Sequence, residues 1–149
     1  MDGTSYYTTH IKRFNYEGII FPKGYNEFQI NDSSGFTPNI EDIEHVEKII
    51  RRSIKELNKD IINQASGPII HKNLRKYKRQ YFGKFNEKGQ KVISIGFSWA
   101  RSRLKDKKSE VDEWKTHELA VFDGGSYYWS ISINLLTDEI IYFNVHGVG

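Results

Sequence analysis

Between Ile40 and Ile61 the apolar positions fall three or four apart, and from Tyr77 onward they fall two apart. The first rhythm puts Ile40, Ile43, Val46, Ile50, Ile54, Leu57 and Ile61 on one stripe of an α-helix. Thr37 before Pro38, or Asn39 with Asp42 three residues on, supplies an N-terminal cap. Glu41, Asp42 and Glu44 sit where the helix dipole favours acids, and Gly67-Pro68 stops the helix.

The second rhythm predicts strands. Tyr77, Arg79, Tyr81, Gly83 and Phe85 share one face, "NEKG" at 86–89 turns the chain, and Ile93, Ile95, Phe97 and Trp99 follow on the next strand. Leu119 and Val121 mark a third strand. "DGG" at 123–125 then turns into Tyr127, Trp129, Ile131, Ile133 and Leu135. On that strand Tyr127, Trp129 and Ile131 are expected to face the helix, and Tyr128, Ser130, Ser132 and Asn134 to face away. "TDE" turns once more into Ile141, Phe143 and Val145. A helix with one apolar stripe and a meander with one apolar face bury each other. The expected fold class is therefore α+β, one long helix packed on a four- to five-stranded antiparallel meander. Residues 1–36, rich in Tyr, Asn, Gly and Ser, read as an extended arm with one or two short strands and a turn at "FPKGYN". Residues 37–149 form the helix-plus-sheet part of a single domain.

Composition narrows the classes of activity. The chain of 149 residues has no cysteine, so thiolate metal sites, disulfides and a cysteine nucleophile are excluded. No apolar run reaches the ~20 residues of a membrane span, and the first twenty residues show no basic start followed by an apolar core. Cytoplasm, or a cell envelope reached after removal of a leader, are both compatible with that. The net charge of +3 implies a slight bias toward anionic partners.

Two stretches, "LRKYKRQYFGKFNEKGQKVISIGF" at 74–97 and "WKTHELAVFDGGSYYWSISINLLTDEIIYFNVHGVG" at 114–149, resemble a group of small bacterial proteins common in Bacteroidota. In these a YxRQYxGxxNxxGxKxIxI hairpin precedes DGGSYYFxVxxNL and a C-terminal strand with a short Gly-containing tail. The resemblance implies a shared fold and a bacterial source, and brings no catalytic residue with it. The "HGVG" ending departs from the group's Asn-Gly-Glu. The order helix-then-meander is similar to the cystatin architecture, although the inhibitory Gln-x-Val-x-Gly loop is absent and "QASGP" sits at the helix end instead.

Catalytic signatures are sparse. His10, His45, His71, His117 and His146 match no metal-ligand spacing; His45 follows Glu41 by four positions, which a polar helix flank explains equally well. "THE" at 116–118 near Asp123 is the one acid–base constellation, and no nucleophile elbow, P-loop or dinucleotide fingerprint occurs. In "HKNLRKYKRQYFGK", Lys72, Arg75, Lys76, Lys78, Arg79 and Lys84 interleave with Tyr77, Tyr81 and Phe82, a pattern suited to phosphates and bases. Alternation sends several of those aromatics to the core, so nucleic acid is not the expected partner. The segment 101–116 carries ten charges in sixteen residues. Its Arg101, Arg103, Lys105, Lys107, Lys108, Glu110, Asp112, Glu113, Trp114 and Lys115, together with Tyr128, form the expected binding surface. By elimination the sequence reads as a non-enzymatic protein-binding module of the immunity or inhibitor kind, without cofactor or metal. The alternative is an exported small-ligand binder, or an enzyme, with a pocket between helix and sheet.

Overall fold

The structure, a computed structural model, describes residues 8–23, 35–58, 69–99 and 127–145. Its helix α1 runs Ile40–Asn58. The capping box forms as the spacing predicts: the Asp42 N–H donates to Asn39 Oδ1 at 2.7 Å, and the Asn39 N–H donates to Asp42 Oδ2 at 3.0 Å. Ile43, Val46, Ile50 and Ile54 are buried on the expected stripe. Two positions differ. Ile40, in the first turn, is exposed, whereas Glu47 and Ile49 are buried. The remainder of the helix reading, through Ile61 to Pro68, lies outside the described residues.

Strands β1 (Thr9–Lys12), β2 (Glu17–Ile20), β3 (Gly35–Phe36), β4 (Tyr77–Phe85), β5 (Lys91–Trp99), β6 (Tyr128–Asn134) and β7 (Ile140–Val145) form one sheet. Its order is β1-β2-β4-β5-β6-β7, with β3 also on β4. The α+β class holds, but the described sheet has seven strands rather than four or five. The excess comes from the arm. Its strands of two to four residues are too short to show a period in the sequence, yet β2 pairs with β4 in parallel and β1 pairs with β2. Pieces β2 and β3 share one edge of β4, at residues 78–81 and 83–84. Gly18 is needed there, because a Cβ would overlap the Tyr81 ring.

Strands β4 to β7 form the expected antiparallel meander. Its first hairpin closes at 86–90 with Gly89 at φ 75° and with Asn86 Oδ1 accepting from the Lys88 and Gln90 amides. In β7 the period-two reading fails at one place. Ile133 pairs with Ile140 while Ser132 pairs with Tyr142, so Ile141 is bulged out and exposed and Ile140 packs inward in its stead. The third predicted strand (119–121) and the 123–125 turn lie outside the described residues.

The core fills the layer between α1 and the sheet: Ile43, Val46, Ile50 and Ile54 from the helix meet Tyr77, Tyr81, Ile93, Ile95, Phe97, Trp129, Ile131 and Ile133. Trp129 and Ile131 face the helix as expected. On the opposite face a small second cluster forms, with Ile19 and Phe21 buried against Phe82. No described helix is long and apolar enough to cross a membrane.

Candidate functional site

One element breaks the apolar layer. Arg79, on the core face of β4, is fully buried opposite Glu47 of α1. Its Nε donates to Glu47 Oε2 at 2.9 Å and its Nη2 to Oε1 at 3.1 Å, while Tyr81 OH donates to Oε2 at 2.6 Å. The Nη1 group donates to the carbonyls of Leu74 and Tyr77 at 3.0 and 2.8 Å. Every oxygen of the carboxylate thus has a donor, which is the condition for keeping a charge in a dry layer. The arrangement also ties the short 3₁₀ turn at Leu74–Lys76, which follows a similar turn at Ile70–Lys72, to the helix.

Burial, followed by the Glu47 charge, holds the Tyr81 hydroxyl well above the ordinary tyrosine value, and burial does the same for Tyr77. The folded values exceed the unfolded ones, so this contribution is complete below about pH 10 and is lost as pH rises beyond it. In an alkaline titration, tyrosinate absorbance from Tyr77 and Tyr81 is expected only together with loss of the circular-dichroism signal. Gradual ionisation of all tyrosines ahead of unfolding would contradict the placement of both hydroxyls.

Those 3₁₀ turns form one wall of an open cleft of about 890 Å³. The β1–β2 turn contributes Lys12 and Arg13, α1 contributes Arg51, and the turns and the start of β4 contribute Lys72, Arg75, Lys76 and Lys78. Against these seven cations the lining holds one carboxylate, Glu17. Glu17 is already engaged by Lys78 and by His10 Nε2. Burial alone would raise its pKa, but those two hydrogen bonds outweigh it and leave the carboxyl below its usual value. Among the described residues, no carboxylate lies within ion-pair distance of Lys12, Arg51, Lys72, Arg75 or Lys76. At the lip stands Phe14, 86% exposed, with the Arg75 guanidinium 4.7 Å from its ring centre. His71 lines the floor, with its Nδ1 3.1 Å from Asn58 Nδ2. A concave surface of one sign concentrates field, so this cleft attracts anionic groups.

The structure redistributes the sequence-derived candidates. Lys72, Arg75, Lys76 and Lys78 come together in the cleft, while Arg79 turns into the core with Tyr77 and Tyr81. Tyr128 lies on the sheet face away from α1, opposite Ser98. Arg101, Arg103, Lys105, Lys107, Lys108, Glu110, Asp112, Glu113, Trp114 and Lys115 lie outside the described residues, as do the "THE" segment, His117 and His146. His45 does not join Glu41; its Nε2 is 2.6 Å from Asp138 Oδ1, in the turn before β7. Among the described residues no cluster of three metal-ligating side chains occurs. Sequence reasoning missed Lys12, Arg13, Phe14 and Arg51. Each is an unremarkable surface residue in its own segment; the parallel docking of β2 on β4 brings Lys12, Arg13 and Phe14, and the packing of α1 brings Arg51, to the cleft with residues 72–78.

Comparison with protein-family profiles, with curated proteins and with solved structures finds no match.

Proposed function

We propose that this chain is a non-enzymatic protein-binding module, an immunity or inhibitor protein that occludes a bacterial toxin or enzyme by covering an acidic surface on it. The observation that carries the reading is the cationic cleft with Phe14 and Arg75 stacked at its lip. Aromatic and arginine side chains concentrate binding energy in protein interfaces, and uncompensated cations select a partner of opposite sign. The same argument makes a cationic nuclease an unsuitable target. The cystatin-like order of helix and meander and the resemblance to small Bacteroidota proteins support a compact binding scaffold without adding a catalytic residue. The alternative is a ligand or substrate pocket between helix and sheet, where in the described residues buried side chains of the helix and the sheet pack on one another.

The test is a paired capture from extract of the source cell, using the wild-type chain and Lys72→Glu/Arg75→Glu. The wild type is expected to retain a stoichiometric partner, and the variant to fold normally and lose it. With the purified partner, the dissociation constant should rise at least about tenfold, equivalent to ~1.4 kcal/mol. Equal retention by both proteins, at low and high salt, would remove the cleft from the interface.

A further inference from the structure

The stretch 71–84 mixes cations with aromatics in the sequence, and the fold separates the two. Tyr77 and Tyr81 enter the core, and Phe82 packs on Phe21 with ring centres 4.6 Å apart, so none of these rings lines the basic cleft. Two other rings stand beside it. Arg75 lies on Phe14 of the β1–β2 turn, and the next residue, Lys76, holds its Nζ 5.6 Å from the ring centre of Trp99 at the end of β5. Phe14 leaves most of its surface open, and Trp99 is partly buried, with Tyr127 edge-on to it at 5.7 Å. Among the described residues, Lys12, Arg51, Lys72, Arg75 and Lys76 have no carboxylate in ion-pair distance. The nearby acids are already engaged, Glu17 by Lys78 and His10, and Glu44 of α1 by Arg13 at 3.7 Å.

We infer that the cleft also binds single-stranded nucleic acid, a function separate from the protein-binding reading above. The backbone phosphates lie along the five uncompensated cations, and an unpaired base stacks on the open side of Phe14. The combination selects this ligand among polyanions. Cations alone attract any of them, but an exposed ring beside a basic groove gains extra only from a planar group, and every base offers one. A polymer of carboxylates matches the charge and leaves Phe14 without a stacking partner. A duplex keeps its bases stacked on one another and brings only phosphates. An anionic bilayer is flat on this scale and cannot follow cations that line a concavity. Arg75 serves both parts of the site, since its guanidinium faces the cleft and supports the ring from below.

Fluorescence anisotropy across a salt series tests this with four probes: an oligo-dT strand of about twelve nucleotides, the same strand paired with oligo-dA, polyglutamate, and vesicles of anionic phospholipid. The single strand is expected to bind at least about tenfold more tightly than the other three. Its log affinity should fall against log salt with a slope of roughly −3, about −0.7 for each of four or five phosphates held. Lys72→Ala should make that slope shallower by about 0.7. Phe14→Ala, at an exposed position that folding does not need, should weaken the strand about fivefold or more with the slope unchanged, and Phe14→Trp should restore it. Polyglutamate should not respond to either Phe14 variant. Polyglutamate bound as tightly as the strand, with Phe14→Ala silent toward both, would overturn the inference and leave charge alone as the selector. Tighter binding of duplex or of vesicles would overturn it as well, as would no binding of the strand at low salt. The protein-binding reading is decided separately, because a protein partner retained from nuclease-treated extract stands whichever way the strand behaves.

Discussion

Glu47→Ala is expected to lower the free energy of unfolding by about 3–5 kcal/mol, a large part of the ~5–15 kcal/mol that a domain of this size possesses. The wild-type carboxylate accepts two bonds from Arg79 and one from Tyr81, all within a layer where both charged side chains are about 1% exposed. Alanine leaves the guanidinium charged, desolvated and facing apolar side chains, with the Tyr81 hydroxyl deprived of its acceptor. Arg79→Met should cost a similar amount from the opposite side, since it strands the carboxylate and also removes the donor to the Leu74 and Tyr77 carbonyls. The double variant Glu47→Leu/Arg79→Met should lose less than the two singles combined, because no charge is left stranded and only the Tyr81 hydroxyl and the Leu74 and Tyr77 carbonyls lose a partner. Urea unfolding of the wild type, Glu47→Leu, Arg79→Met and the double variant measures the coupling directly. Costs below about 1 kcal/mol for both singles, the range of exposed ion pairs, would mean that water reaches the pair. The double variant has a second use. Arg79 fastens the 3₁₀ turn that carries Arg75 and Lys76, so the double variant should weaken cleft binding even where it restores stability.

This pair also shows where sequence reasoning stops. Period two placed Arg79 on the same face as Tyr77 and Tyr81, and that placement is correct. What the apolar pattern passes over is Glu47, because it counts only apolar residues. By spacing Glu47 stands four residues after Ile43 and three before Ile50, inside the buried stripe, whereas Glu44 falls with Glu41, Lys48 and Arg51 on the exposed face. Its partners Arg79 and Tyr81 come from another element, and no local pattern names them. Long periodic elements were legible for the opposite reason: α1, its capping box and the hairpin at 86–90 each depend on residues a few positions apart. The cleft joins the β1–β2 turn, α1 and residues 71–78, and no local pattern relates them. The bulge at Ile141 is intermediate. Alternation predicted a strand and found one, but a single extra residue after Asp138, which itself has φ 62°, exchanged the roles of Ile140 and Ile141.

Trp129→Ala is expected to destabilise the domain by about 3–5 kcal/mol, comparable with loss of Glu47 but by a different mechanism. The indole is 1% exposed and lies flat on Phe97, with ring centres 3.6 Å apart and planes 5° from parallel. Tyr77 and Phe143 meet it edge-on at 5.8 and 5.7 Å. These rings come from β4, β5, β6 and β7, so the side chain at the centre of the meander joins four strands in one contact. Truncation leaves a cavity that rigid aromatic neighbours close only in part. Trp129→Phe retains a ring on Phe97 and should cost clearly less. Chemical denaturation gives the magnitudes, and the same variants separate two functional classes. If recognition takes place in the cleft, Trp129→Phe should leave partner affinity within about twofold of wild type, because a conservative change in the core does not reach the charged lining. A ligand held between helix and sheet would instead respond to that change by tenfold or more, about 1.4 kcal/mol. Strong loss of binding in a well-folded Trp129→Phe, with Lys72→Glu/Arg75→Glu unaffected, would transfer the functional site from the cleft to the core.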